Sequence, residues 1–135
     1  MKKIILLGVG LILNTLLYST QTLADNCTDG TEYMGKNGHT YCVSNVNMNW
    51  WSAFNWCTSQ GRHLASMDEV CNISETEYWV GGVGAKACPN TIGGGLNRWG
   101  WTSLGRGTEY AYAVNLSSGE VNNNNRNNNN AAICW

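Results

Sequence analysis

Residues 47–65 read "NMNWWSAFNWCTSQGRHLA", the clearest helical pattern in the chain. Trp50, Ala53, Phe54 and Cys57 stand at i, i+3, i+4 and i+7, the spacing that places them on one face of an α-helix. Asn47 or Asn49 suits the N-cap, where a side-chain oxygen accepts from a first-turn N–H. Gly61 suits the left-handed residue that follows a last turn. A second, shorter helix is predicted over 67–72, where Asp68 and Glu69 would meet the positive end of the helix dipole.

Upstream, Lys2 and Lys3 precede an apolar run from Ile4 to Leu17, and a polar segment then ends in Thr22-Leu23-Ala24. This is the pattern of a secretory signal peptide. Its apolar part is short for a membrane span and is interrupted by Asn14. Cleavage after Ala24 is expected, giving a signal peptide at 1–24 and one domain at 25–135; a retained N-terminal anchor is the alternative. Removing the first 24 of 135 residues leaves 111, enough for one modest core. Without Lys2 and Lys3 the 8 basic residues fall to 6, against 9 acidic, a net charge of −3. No basic patch remains to hold nucleic acid, and no later segment could span a membrane as a helix. Six cysteines, all after residue 24, predict three disulfides and a secreted, periplasmic or cell-surface location. The count does not choose among the pairings.

Downstream the pattern changes to strands and glycine-rich loops. "YWVGGV" reads as a buried strand, and "RWGWTS" puts Trp99 and Trp101 on one face. In "EYAYAVNL" Tyr110, Tyr112, Val114 and Leu116 alternate with Ala111, Ala113 and Asn115. Ser117-Ser118-Gly119 predicts a turn that returns through Glu120 and Val121, and "AAIC" closes as a short strand. One or two helices followed by antiparallel strands make an α+β fold.

The spacing Trp50-x-x-Ala53-x-x-x-Cys57-x-x-x-Gly61-x-x-Leu64-Ala65 resembles the first-helix signature of C-type lectin-like domains. "YWVGG" at 78–82 resembles the family's "WIGL"-like strand, Trp99 and Trp101 its "W-x-W" strand, and "AICW" its cysteine-bearing last strand. The resemblance spans 27–135 and implies a disulfide-stapled fold with a long loop region. It implies Cys57 bonded to Cys134, and Cys27 to Cys42 as in members with an N-terminal hairpin bridge. Cys71 and Cys88 are then left to each other, a pair that departs from the family's usual second bridge. Closing a loop as long as 57–134 contributes on the order of 4 kcal/mol in the chain-entropy model.

The family's calcium motifs, "EPN" or "QPD" and "WND", do not occur; Pro89 stands in "CPN". After Glu77 only Glu109 and Glu120 are acidic, too few for a clustered oxygen cage. No metal or other cofactor is expected. His39 and His63 lack metal-ligand spacing, and an even cysteine count leaves no thiol nucleophile, so an enzyme is not expected. Trp99 and Trp101 are candidate ligand contacts, because exposed tryptophan beside amides suits sugar rings or protein surfaces.

Residues 122–130 hold eight asparagines and one arginine. Asparagine is a poor strand former, and a free tract of it would be disordered. Here the hairpin strand precedes it and Cys134 follows, which predicts a surface loop, or a loop and a strand edge. In some bacterial and phage lectin-like domains, the variable proteins of diversity-generating retroelements, codons are altered at adenines near the C-terminus. Asparagine codons are adenine-rich, so the run resembles such a cassette; an ordinary polar loop is the alternative. The expected function is a secreted bacterial adhesion or recognition module with a protein or carbohydrate ligand on a cell surface. Its candidate site comprises Asn122, Asn123, Asn124, Asn125, Arg126, Asn127, Asn128, Asn129 and Asn130, with Trp99, Trp101, Tyr110 and Tyr112 beside them. A structural subunit of a surface assembly with a passive polar loop, or a calcium-independent lectin, are the alternatives.

Overall fold

The computed structural model describes residues 27–71, 88 and 96–135. The signal peptide read at 1–24, the "YWVGG" strand and Pro89 lie outside the described residues. Within them the chain is α+β, a six-stranded sheet with two helices. In order these are β1 (Gly30–Met34), β2 (Thr40–Ser44), α1 (Trp50–Ser59), α2 (Met67–Cys71), β3 (Trp99–Arg106), β4 (Tyr110–Asn115), β5 (Val121–Asn125) and β6 (Ala131–Cys134).

Helix α1 starts where Asn49 Oδ1 accepts from Ser52 N at 2.9 Å, so Asn49 is the cap. It stops at Gly61, whose φ of 70° is left-handed; Gly61 N donates to Thr58 O and Arg62 N to Cys57 O. That paired closure satisfies carbonyls that would otherwise be orphaned. Helix α2 starts with a capping box: Glu69 N donates to Ser66 Oγ at 3.1 Å and Ser66 N to Glu69 Oε1 at 2.7 Å. Glu69 therefore acts through a specific reciprocal bond as well as through the helix dipole.

The sheet order is β1-β2-β6-β3-β4-β5. The antiparallel pattern holds except between β3 and β6, which run parallel, with Gly100 opposite Ala131 and Trp101 opposite Ala132. The cause is connectivity. Strand β5 lies at the sheet edge, and residues 126–130 carry the chain back past β4 and β3 before β6 enters beside β2 in the same direction as β3. All four β6 residues are buried. A Cβ on Gly100 would overlap the Ile133 side chain, so glycine there lets the two strands close up.

Alternation along β4 divides the core in two. Tyr112, Val114 and Leu116 join a cluster with Tyr41, Val43, Met67 and Ile133. Ala111 and Ala113 join another with Ala53, Cys57, Leu64 and Trp101, where small residues leave room for the indole. Disulfides link Cys57 to Cys134, Cys27 to Cys42 and Cys71 to Cys88, the same pairs the resemblance implies. No helix among the described residues is long and apolar enough to cross a membrane.

Candidate functional site: the asparagine edge and turn

Strand β5 contains four asparagines, paired so that Tyr110 faces Asn125, Ala111 Asn124, Tyr112 Asn123 and Ala113 Asn122. Strand propensity does not explain this. The conformation is imposed by the β4 ladder and by Val121, which is buried opposite Val114. Because Arg126 N donates to Glu109 O and Asn115 N to Glu120 O, the ladder bonds fall on even-numbered β5 residues. The amide and carbonyl of Asn123 and Asn125 therefore point away from β4. Asn122 Oδ1 accepts the Asn123 N–H at 2.8 Å, and Asn125 O accepts Asn128 N at 2.9 Å. The run thus covers part of its own edge, which otherwise invites pairing with another chain.

The turn that follows is held at both ends. Asn125 Oδ1 accepts Asn127 N at 3.0 Å, and Asn130 exchanges two backbone bonds with Met48, at 2.8 and 3.0 Å. Arg126 lies between. Its guanidinium sits over the Trp50 ring, 4.0 Å from the centroid. Its Nε donates to Tyr110 O at 3.0 Å and an Nη to Gly107 O at 2.8 Å. Its own carbonyl accepts Trp50 N at 3.0 Å, supplying a partner for a first-turn N–H of α1. A Cβ on Gly105 would collide with the guanidinium, so Gly105 forms the floor beneath it. Trp50 is fixed in turn by Nε1 donating to Thr102 O at 2.9 Å and by an edge-to-face contact with Phe54.

These contacts divide the run. Asn122, Asn127, Asn128 and Asn129 are exposed, while Asn123, Asn124 and Asn125 are half-buried. Among the described residues the side chains of Asn123, Asn124, Asn127, Asn128 and Asn129 make no hydrogen bond. Asn130 is 7 % exposed and belongs to the scaffold rather than the display surface, because its backbone pairing with Met48 draws it inward.

Two aromatic candidates change role. Trp101 is 0 % exposed, its Nε1 donating to Met48 O at 2.8 Å, so it cannot meet a ligand. Tyr112, 7 % exposed, is packed in the other cluster. The reason is the same for both: the sheet is covered on both faces, so alternation sorts residues between two cores. Trp99 is half-buried against the Trp101 cluster, and Tyr110, 42 % exposed, remains at the surface beside Asn125. Trp51, outside the candidate set, is 46 % exposed. The signal was present, since Trp51 falls off the face formed by Trp50, Ala53, Phe54 and Cys57.

Among the described residues no three His, Cys, Asp or Glu side chains gather where one metal ion could sit. His63 Nε2 lies 2.8 and 2.9 Å from the Glu69 carboxylate oxygens. His39 stacks on Trp135 with ring centroids 3.5 Å apart, beside a shallow recess also lined by Gly38, Thr40 and Arg62. Compared with models of known protein families and with curated proteins, the sequence matches none of them.

Proposed function

We propose that the chain is a secreted C-type lectin-like recognition module whose ligand face is the asparagine edge and turn. The observation that carries this reading is the anchoring of residues 122–130. A tract with no propensity to fold is fixed by the β4 ladder, the Arg126–Trp50 stack and the Met48–Asn130 pair, while its amides at 127–129 stay exposed. Amide side chains both donate and accept, so they serve many ligands from one backbone. The first-helix spacing and the bridge from α1 to β6 support the family assignment. The signal peptide and the disulfides support export.

Diversification by an adenine-directed retroelement gives a reason for an asparagine run at this place. Display positions would vary, and Arg126 and Asn130 would hold the frame. Genomic sequence around the coding region should contain a reverse-transcriptase gene and a near-copy of the 3′ end differing at adenines; their absence removes the diversified reading. The binding reading has its own test. Replacing Asn123, Asn124, Asn127, Asn128 and Asn129 together by serine should abolish binding of the labelled protein to bacterial cell envelopes and leave the thermal midpoint nearly unchanged. Undiminished binding would count against it.

A passive role in a surface assembly is the second reading. The bond that Asn123 N donates to Asn122 Oδ1 favours it, because a self-covered edge resists unwanted pairing. On that reading the serine variant binds as well as the parent.

A further inference from the structure

We infer that β1 is the docking edge for a second copy of this chain, joined antiparallel about a two-fold axis at Tyr33. The inference goes beyond the recognition reading above and does not depend on it. Strand β1 closes one end of the sheet order, with β5 at the other. Asn45 N donates to Asp29 O at 3.1 Å and Gly35 N to His39 O at 2.8 Å, so the odd-numbered residues of β1 bond to β2. The amides and carbonyls of Gly30, Glu32 and Met34 therefore point outward, and among the described residues none of them takes a hydrogen-bond partner. Strand β5 covers part of its edge with its own asparagines; β1 does not. It holds no proline, lysine or bulge, the features that guard an edge, and its Met34 is 68 % exposed. Its one charge, Glu32, has the Arg62 guanidinium 3.5 Å away.

The side chains choose the occupant and the register. Outward groups on even-numbered residues match the same groups of a second β1 run antiparallel, so the edge is self-complementary. With Tyr33 on the axis, each Glu32 stands opposite Met34 of the second copy. The two tyrosines then face each other where the strands come closest, and cross-strand aromatic pairs are favourable. An axis at Glu32 would set two carboxylates face to face, which is unfavourable. An axis at Thr31 would carry Met34 past the end of the facing strand. The Tyr33 register also brings the exposed Lys36 diagonally across from Glu32 of the second copy, within a long side chain's reach, once on each side of the axis. A five-residue edge is small beside a standard interface, so the pair is a transient one. It makes one continuous sheet whose outermost strands are the two β5 edges, roughly 50 Å apart by strand spacing. The asparagine faces stay free and are presented in duplicate.

Sedimentation equilibrium of the oxidised, full-length secreted chain, from about 10 μM to about 1 mM, reads the association. The mass should rise toward twice the monomer's across that range. Met34→Glu sets a carboxylate opposite Glu32 of the second copy, at a site exposed enough to leave the fold alone. It should weaken association about tenfold or more with the unfolding midpoint unchanged. Adding Glu32→Lys makes the facing charges opposite in sign, and should restore association to within about threefold of the parent. The serine variant of the asparagine run should dimerise like the parent. A chain that stays monomeric at about 1 mM, or a Met34→Glu variant that dimerises like the parent, overturns the inference. So does a failure of Glu32→Lys to rescue, because positions 32 and 34 face each other only in the Tyr33 register. Loss of the dimer in the serine variant would put the contact at β5 instead and overturn it as well.

Discussion

Arg126 stands in the middle of the least structured-looking stretch of the chain and makes more specific contacts than any of its neighbours there. A planar guanidinium can stack on an indole while its N–H groups reach two carbonyls, which a lysine ammonium cannot do. Arg126→Ala should cost about 2 kcal/mol, from a partly exposed cation–π contact and two charge-assisted bonds. Arg126→Lys should recover less than half of that. Gly105→Ala should be destabilising by about 1–2 kcal/mol alone, because the new methyl displaces the guanidinium, and by under about 0.5 kcal/mol in the Arg126→Ala background. Urea unfolding of the four chains checks the cycle. Additive costs would mean the two residues do not act on each other.

Strand β5 and its turn show how an element can be made by its neighbours. Val121 enters the core, the β4 ladder aligns the next four residues, and Asn125 closes the turn through its side chain and its carbonyl. Position along the run therefore predicts tolerance. Tyrosine placed singly at 127, 128 or 129 should change stability by under about 0.5 kcal/mol, as expected at exposed sites. Asn130→Tyr should cost more than about 2 kcal/mol, because a large ring has no room beside Met48. Thermal unfolding of the four variants reads the contrast, and equal costs would erase the distinction between display and scaffold. At the parallel pair, Gly100→Ala should be destabilising for the related reason that Ile133 occupies the space.

Across the whole molecule the disulfides join parts that the sequence separates. The bridge from Cys57 to Cys134 closes 77 residues and ties the first helix to the central strand, just after the asparagine turn. In the chain-entropy model its loss costs about 4.5 kcal/mol, against about 3 kcal/mol for the bridges closing 15 and 17 residues. Paired serine variants should rank in that order by denaturant midpoint. If Cys57→Ser with Cys134→Ser is the mildest of the three, β6 does not depend on the clasp.

Local chemistry wrote much of this into the sequence. The 3.6-residue spacing, an asparagine at 47 or 49 and Gly61 mark the first helix, and the alternation at 110–116 divides β4 between its two faces. Both signals are short-range, carried by neighbours three, four or two residues apart. The central place of β6 was not legible, because four buried residues carry no period that tells an edge from a middle. The burial of Trp101 and Tyr112 was hidden as well, since alternation says which residues share a face and not whether another layer covers it. The hold on the asparagine run lay equally out of reach. It depends on Trp50, Gly105 and Met48, residues far off in the chain, and only packing in three dimensions brings them to Arg126 and Asn130.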